Sequence, residues 1–188
     1  MRFIVLAPVV ALGLAFAGES RAFERQQHIG VDLGVTLLSA ADAPSVNLSE
    51  GIGAHYTYGL TDAFNLVAEA SASFYSWKSA ISTDPKAPTP HTLPGTIAGA
   101  GIGAVYIFDV LRWVPYAGAL IGGDYLGGGN LDSAFFAPDL QIAIGCDYQI
   151  TRSWALGVGY RQHMLLTKMT AYPSYSFFAI RGEYVWGW

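Results

Sequence analysis

The last fifteen residues of the chain, SYSFFAIRGEYVWGW (174–188), decide the fold. Successive side chains of a β-strand point to opposite faces, so this stretch separates into two sets. One set is bulky and apolar, whereas the other carries both charges: Phe178, Ile180, Gly182, Tyr184, Trp186 and Trp188 against Ala179, Arg181, Glu183, Val185 and Gly187. An apolar face that ends in two tryptophans is typical of a strand with lipid outside and a narrow polar lumen inside.

The composition agrees with a membrane strand protein. Hydrophobic residues make up 52% of the 188 residues, whereas charged residues make up 13%, which is about half of their share in soluble domains. Beyond the N-terminus no apolar run approaches the roughly 18 residues that a membrane helix needs. Because backbone groups in lipid must be satisfied within the protein, a closed barrel is the main remaining way to span the membrane.

The first 22 residues are typical of a cleavable, helical signal peptide. Arg2 precedes an apolar core at 3–17, and small residues offer cleavage points after Ala17 or after Ala22. We favour cleavage after Ala22, because a short polar stretch usually separates the core from the cut. An uncleaved membrane anchor is the competing interpretation. The chain therefore divides into a signal peptide, 1–22, and a barrel domain, 23–188.

The charge balance argues against a nucleic-acid partner, and the cysteine content excludes an internal disulfide. Removing 1–22 takes away Arg2, Arg21 and Glu19, so the remainder has 8 Lys+Arg and 13 Asp+Glu, a net charge of −5. This balance gives no basic surface for nucleic acid. Cys146 is the single cysteine, so an internal disulfide is impossible. Its position in the alternation places it on the apolar face, as a small hydrophobic residue.

Eight segments alternate in this way, and they predict an all-β, eight-stranded antiparallel up-and-down transmembrane barrel. Each segment is close to the 9–11 residues with which a tilted strand crosses the membrane. Segment 114–126 is the least regular, and Pro115 with Gly122-Gly123 leads us to expect an early irregularity and a bulge. The segments are 28–38, 47–58, 64–75, 96–108, 114–126, 139–149, 154–164 and 174–188.

The connections alternate in length, which supports the same barrel independently. Strands two and three, four and five, and six and seven are joined by short turns, whereas the other links are longer and the longest is 76–95. Short periplasmic turns and longer extracellular loops are the asymmetry of outer-membrane barrels. Eight strands then place both termini on the periplasmic side.

Aromatic residues predict a belt at each membrane interface. Two short turns repeat each other, YGLTDAF (58–64) and YQITRSW (148–154), with FDVLRW (108–113) as a looser third copy. The belt at the short turns is expected to comprise Tyr56, Tyr58, Phe64, Tyr106, Phe108, Trp113, Tyr148 and Trp154. Candidates at the other end are Phe74, Trp77, Tyr125, Phe135, Phe136, Tyr172 and Tyr175.

The chain resembles the eight-stranded outer-membrane barrels, which include the OmpA-type transmembrane domain and the opacity/adhesin-like proteins. The glycine-alternating strands GIGAVYIF (101–108) and ALGVGYR (155–161), the Y-x-(L/I)-T turn and the terminal YVWGW (184–188) carry this resemblance. It implies a Gram-negative outer membrane, with lipid and lipopolysaccharide as surroundings. It also implies that Tyr184, Trp186 and Trp188 form the signal read by the barrel-assembly machinery. A monomer is expected.

Five charged residues are expected to share one layer of the lumen. Each lies four to seven residues from the periplasmic end of its strand, toward the long loops: Asp32, Glu69, Arg161, Arg181 and Glu183. Isolated buried charges are very costly, so these side chains should pair. The cluster is interpreted as a structural plug or, alternatively, as an ion-pair gate in a small pore. An eight-stranded barrel is only just wide enough to be filled by its own side chains, so any conductance should be small.

Enzyme and ligand-carrier hypotheses fit the residues less well. A lipid A-modifying barrel needs a histidine paired with a serine or an acid, but Met164 and Leu165 follow His163, which faces the lumen. Four scattered histidines show no metal-ligand spacing, so neither a metal nor another cofactor is expected. A soluble lipocalin-like barrel would turn its apolar face inward, and the remaining face is too poor in charge to keep it dissolved.

The resulting hypothesis is a non-catalytic outer-membrane barrel with a structural, envelope-maintaining or surface-interaction role. A narrow, low-conductance pore is the alternative. The long connection that contains residues 77–90 is a candidate contact for a surface ligand, because loops on rigid scaffolds often carry function.

Removing Trp188 should slow assembly, because the terminal aromatic residue is expected to be read during insertion. The measurement is the amount of folded, heat-resistant barrel in membranes over time, with Trp188→Phe as the control that keeps an aromatic ring. Normal membrane levels of the truncated chain would contradict the assignment.

Overall fold

The computed structural model describes residues 25–39, 47–75, 93–108, 110, 112–167, 169–172 and 174–187. Each strand pairs antiparallel with the next, and the last pairs with the first, so the sheet closes into a barrel. The expected up-and-down barrel is confirmed. Its strands are β1 (Gln27–Ser39), β2 (Asn47–Gly59), β3 (Phe64–Phe74), β4 (Thr96–Ile107), β5 (Trp113–Gly127), β6 (Phe135–Gln149), β7 (Trp154–Leu165) and β8 (Ser174–Trp186).

Three expectations fall on residues outside these ranges. The signal peptide at 1–22, Trp188 and most of the longest connection, 76–92, are not among the described residues. In the part of the chain that is described, no helix has the length and hydropathy that a membrane span requires.

The two faces of each strand match the predicted alternation. On β8, Ile180 is 68% exposed whereas Arg181 is 6% exposed. On β7, Trp154, Leu156 and Val158 point outward and Arg161 and His163 point inward. The outer surface is therefore the apolar one, which suits hydrocarbon, and the charged groups lie toward the axis. Cys146 lies on the outer face, as the alternation predicts, and is half-buried there.

The bulge expected in β5 is wrong. Pairing of β5 with β4 and β6 continues without interruption, and Gly122-Gly123 keeps register with Gly101 and Ala100. The two glycines provide space instead: a Cβ on Gly123 would lie 2.0 Å from the Phe136 ring. Pro115 lies near the start of the strand, where a missing N–H is tolerated. Strand β6 also begins at Phe135, earlier than predicted, because 135–138 pair with the end of β5.

The repeated turn sequence has a local hydrogen-bonding cause. Thr61 Oγ1 accepts hydrogen bonds from the Ala63 and Phe64 amides at 3.2 and 3.0 Å. Thr151 Oγ1 accepts the equivalent pair at 3.2 and 3.1 Å. The threonine hydroxyl therefore satisfies turn amides that the strand ladder cannot reach.

The aromatic residues at the short-turn end lie on the outer face and pack in pairs across neighbouring strands. Ring centroids are 5.1 Å apart for Phe64 and Tyr106 and 4.7 Å apart for Trp113 and Tyr148. At the other end, Phe74, Tyr125 and Phe136 are exposed on the outer face. Tyr172 and Tyr175 are not part of that belt, because both are buried inside the barrel, and Phe135 packs against them.

Ile142 provides a test of which medium the outer face contacts. It lies midway along β6 between the outward aromatics Phe136 and Tyr148, and is 42% exposed. Ile142→Arg should destabilise the folded barrel by about 2–4 kcal/mol, the cost of an arginine at the bilayer midplane. The measurement is the unfolding free energy in lipid vesicles. Ile142→Leu is the apolar control, and Leu166→Arg, at an exposed position beyond β7, should cost far less. Equal stability of Ile142→Arg and wild type would show that the face does not contact hydrocarbon.

Candidate functional site

The structure brings the five predicted lumen charges together. Arg161 contacts Asp32 at 3.1 Å (Nη2 to Oδ2) and Glu69 at 2.5 Å (Nε to Oε2). Arg181 contacts Glu183 at 2.6 Å (Nη2 to Oε1) and Asp32 at 3.5 Å (Nε to Oδ1). Asp32 thus lies between the two guanidinium groups. All five are buried, which is acceptable only because they are paired.

Strand register explains why residues so distant in sequence meet. Asp32 is directly opposite Arg181 in the β1–β8 pairing. Arg161 on β7 and Glu69 on β3 come from opposite walls, because four steps separate these strands in either direction around the barrel. Their ion pair therefore crosses the lumen. A barrel of eight strands is narrow enough for two facing side chains to meet in this way.

The glycine alternation in the sequence makes room for these large side chains. A Cβ on Gly30 would lie 2.3 Å from His55 Cε1, and one on Gly157 would lie 1.9 Å from Asp147 Oδ1. Both distances are far below van der Waals contact. A small residue beside each large polar one lets the lumen close-pack.

Four further residues belong to this network, although the count of residues from the periplasmic strand ends did not include them: His28, His55, Tyr116 and Asp147. His55 contacts Asp32 at 3.1 Å through Nδ1 and Glu183 at 2.8 Å through Nε2. His28 Nδ1 lies 3.0 Å from a Glu183 oxygen. Strand alternation had already turned His55 and Asp147 inward, but they lie three and two residues from the predicted strand ends at 58 and 149, outside the counted layer.

Arg181 is the centre of the network. One of its nitrogens donates to the Tyr116 hydroxyl, and its guanidinium carbon lies 4.8 Å from the centre of the Tyr116 ring. Its Nε is 3.8 Å from Asp147. Two guanidinium groups and two imidazoles face four carboxylates, so the histidines supply donors that the arginines alone do not. We name these nine residues the lower ionic network: His28, Asp32, His55, Glu69, Tyr116, Asp147, Arg161, Arg181 and Glu183.

The lumen is less uniformly polar than expected. Buried apolar side chains cover the inner wall of β3 to β6 beside the lower ionic network: Val67, Val105, Ile107, Val114, Leu120 and Ala143. A cavity of about 40 Å³ lies between this wall and the charged residues. It has room for a few water molecules, since one requires roughly 10–15 Å³ on this measure.

A cluster of buried apolar side chains lies at the long-loop end of the lumen, and we name it the apolar cap. The cap comprises Leu38, Tyr75, Leu93, Ile97, Leu126, Ala137, Leu165, Tyr172 and Tyr175, all buried. Alternation turned several of these residues inward, but it did not predict that they form one cluster.

A second polar group lies within the barrel among the strand ends that carry the cap, and we name it the His163 cluster: Asp124, Asp139 and His163. His163 Nδ1 lies 2.8 Å from Asp139 Oδ2 and 3.6 Å from Asp124 Oδ2. Tyr175 donates to Asp124 Oδ1 at 2.7 Å, and its ring stacks on His163 at 4.1 Å. Among the described residues, this is the group whose donor atoms, all within 4.8 Å, could hold a metal ion.

Sequence reasoning missed the His163 cluster because of the expected bulge in β5. The inward faces of Asp139 and His163 were predicted, but Asp124 was given no face. Once β5 is continuous, Asp124 shares its inner face with Val114, Tyr116 and Leu120.

The remaining predicted positions lie on the outer wall. Tyr184 and Trp186 stack with centroids 5.9 Å apart, and Trp154 packs against Tyr184 at 5.2 Å. Trp188 lies beyond the described residues. These contacts join the end of β8 to the belt at the short turns.

A sequence-family comparison matches the outer membrane protein beta-barrel domain over residues 5–180. The chain belongs to this family. It is therefore an outer-membrane β-barrel, and the short-turn end, which also holds both barrel termini, is the periplasmic end in such proteins. No curated protein sequence matches the chain.

Solved structures support the same fold. Neisserial surface protein A aligns with a TM-score of 0.63 at 18% identity, covering 85% of this chain and 96% of its own. The N-terminal barrel domain of Pseudomonas aeruginosa OprF gives 0.59 at 14% identity, covering 87% and 98%. Ail, the attachment invasion locus protein of Yersinia pestis, gives 0.55 at 11%, covering 87% and 99%. At these identities the likeness concerns the fold alone.

Arg161→Ala should destabilise the outer-membrane barrel by about 3–5 kcal/mol, because it leaves buried Glu69 and Asp32 without their guanidinium partner. The measurement is thermal or denaturant unfolding in detergent. Adding Glu69→Gln should recover part of the loss, since the residual uncompensated charge is then smaller. Arg112→Ala, in an exposed turn, is the matched control and should be near neutral. Wild-type stability of Arg161→Ala would contradict the structural role of the ion pair. Arg181→Ala should be destabilising for the same reason.

Proposed function

We propose that this outer-membrane barrel is a closed, structural component of the envelope whose loop end is available for surface contact. The observation that carries the proposal is the filled lumen. The Arg161–Glu69 pair crosses it, and the apolar cap lies at the long-loop end. A continuous water-filled path would have to pass both.

The apolar outer wall supports an envelope role. Its exposed side chains include Leu33, Ile102, Ile121 and Val158, each more than half exposed, and the aromatic belt surrounds its periplasmic end. Such a surface takes lipid, including lipopolysaccharide in the outer leaflet, as its surroundings. Barrel-assembly machinery is the partner expected during insertion. No part of this proposal requires catalysis or a cofactor, and the barrel is proposed to act as a monomer.

Surface contact is the part of the proposal that concerns the long connections. Ail, named for attachment and invasion, has also been solved with the heparin analogue sucrose octasulfate. Its fold supports surface contact as one use of an eight-stranded barrel. The net charge of −4 on the present chain does not favour a polyanion of that kind.

A gated narrow pore is the second candidate, and one feature favours it. The small cavity beside Arg161 and Arg181 could hold water next to groups that can rearrange. Opening would require these buried ion pairs to exchange their partners for water. The apolar cap would also have to move before a pore could open. The closed barrel explains both the ion pairs and the cap, whereas the pore explains only the ion pairs.

Planar-bilayer recordings at neutral pH distinguish the two. We expect wild type to show no sustained current steps, because the lumen is packed. The Arg161→Ala/Glu69→Gln barrel, which lacks the Arg161 side chain and the ion pair that crosses the lumen, should pass current more often. Arg112→Ala is the control and should match wild type. Regular steps from wild type that the double variant leaves unchanged would contradict the closed-barrel proposal.

A further inference from the structure

We propose that the His163 cluster binds one divalent transition-metal ion, for which Zn²⁺ is the best match. The ion would join β5, β6 and β7, because Asp124, Asp139 and His163 come from these three neighbouring strands. This inference does not depend on whether the barrel conducts.

The donor geometry suits a small ion. Two ligands of a tetrahedral zinc with bonds of about 2.0–2.1 Å lie about 3.3 Å apart. The distances from His163 Nδ1 to the Asp139 and Asp124 oxygens are 2.8 and 3.6 Å, so they bracket this value. The donor atoms of all three residues lie within 4.8 Å of one another, so one ion between them is within reach of each.

The charge of the cluster also calls for a cation. Asp124, Asp139 and His163 are at most 2% exposed, and two carboxylates face one imidazole. The nearest guanidinium along β7 is that of Arg161, which is engaged with Asp32 and Glu69. Asp124 Oδ2 and Asp139 Oδ1 have no hydrogen-bond partner among the described residues. A buried carboxylate oxygen in this condition is costly, and a bound cation would remove the cost.

An independent observation comes from Gln141, which is 1% exposed and whose Oε1 also has no hydrogen-bond partner within the described ranges. Gln141 is directly opposite His163 in the β6–β7 pairing. Its Nε2 and the free Asp139 Oδ1 lie 2.9 and 2.8 Å from a single point, the position of a Cβ on Gly122. The Gln141 amide therefore lies near Asp139, and a half-turn about its last bond exchanges the positions of its nitrogen and oxygen, which makes Oε1 the candidate fourth ligand.

Tyr175 on β8 orients the cluster without being a ligand. It donates to Asp124 Oδ1, which leaves Oδ2 directed toward His163, and its ring stacks on the imidazole. Outer contacts of this kind fix the geometry of first-row metal sites. A site with one imidazole and two carboxylates matches zinc or a similar transition metal, whereas Mg²⁺ and Ca²⁺ prefer oxygen ligands alone.

The test uses tag-free full-length barrel refolded in detergent. Because the cluster is buried, Zn²⁺ is supplied during refolding, and a parallel sample is refolded with EDTA. We expect about one zinc per chain by elemental analysis after removal of free ion. We also expect a higher thermal unfolding midpoint than in EDTA, and no such increase with Mg²⁺. Wild type that retains no zinc and melts identically in both samples would overturn the proposal.

Matched variants assign the ion to the cluster. Asp139→Asn and His163→Gln should weaken zinc binding at least tenfold. Asp147→Asn makes the same charge change on the same strand in the lower ionic network, and should keep one zinc per chain. Zinc retained by Asp139→Asn but lost by Asp147→Asn would place the ion elsewhere. If wild type binds no zinc, and Asp139→Asn in EDTA is at least as stable as wild type, the two carboxylates share a proton instead.

Discussion

Every backbone amide and carbonyl in hydrocarbon must find its partner within the protein, and the pairing of β8 with β1 completes that requirement. Closure with eight strands also fixes the width of the barrel. The interior is then too narrow for a wide aqueous channel and must be occupied by side chains. The ion pairs, the glycine spacing and the apolar cap are consequences of this one geometric condition.

The interior is arranged in levels that differ in chemistry. Near the periplasmic end an apolar wall on β3 to β6 faces the lower ionic network, so charged groups are desolvated on one side and paired on the other. The His163 cluster and the apolar cap occupy the opposite end. Buried charge is tolerated at each level because partners come from several strands at once.

The fold could be predicted from the sequence because period-two alternation and turn length are local properties. Arg181 and Glu183 show their inward face within a single strand, and the count from the strand ends placed them level with Asp32. The arrangement of polar and apolar groups along the lumen could not be predicted from these local properties alone. The face of Asp124 depends on whether Gly122 and Gly123 form a bulge or stay in register, and only the pairing with β4 and β6 shows that they stay in register. Tyr175 shares the inner face of β8 with Arg181, so the alternation alone could have placed it, whereas Tyr172 precedes the strand and its place depends on packing in the apolar cap.

The long sequence separation within the lower ionic network bears on the order in which the barrel forms. His28 and Glu183 are 155 positions apart, and Asp32 and Arg161 are 129 apart. The acidic residues of β1 and β3 therefore gain their arginine partners only when the two ends of the chain come together. Contacts this distant in sequence form late and slow the folding of β-proteins. Until β8 pairs with β1, those carboxylates lack their guanidinium partners and need water, so the sheet must admit water along the β1–β8 seam before it closes.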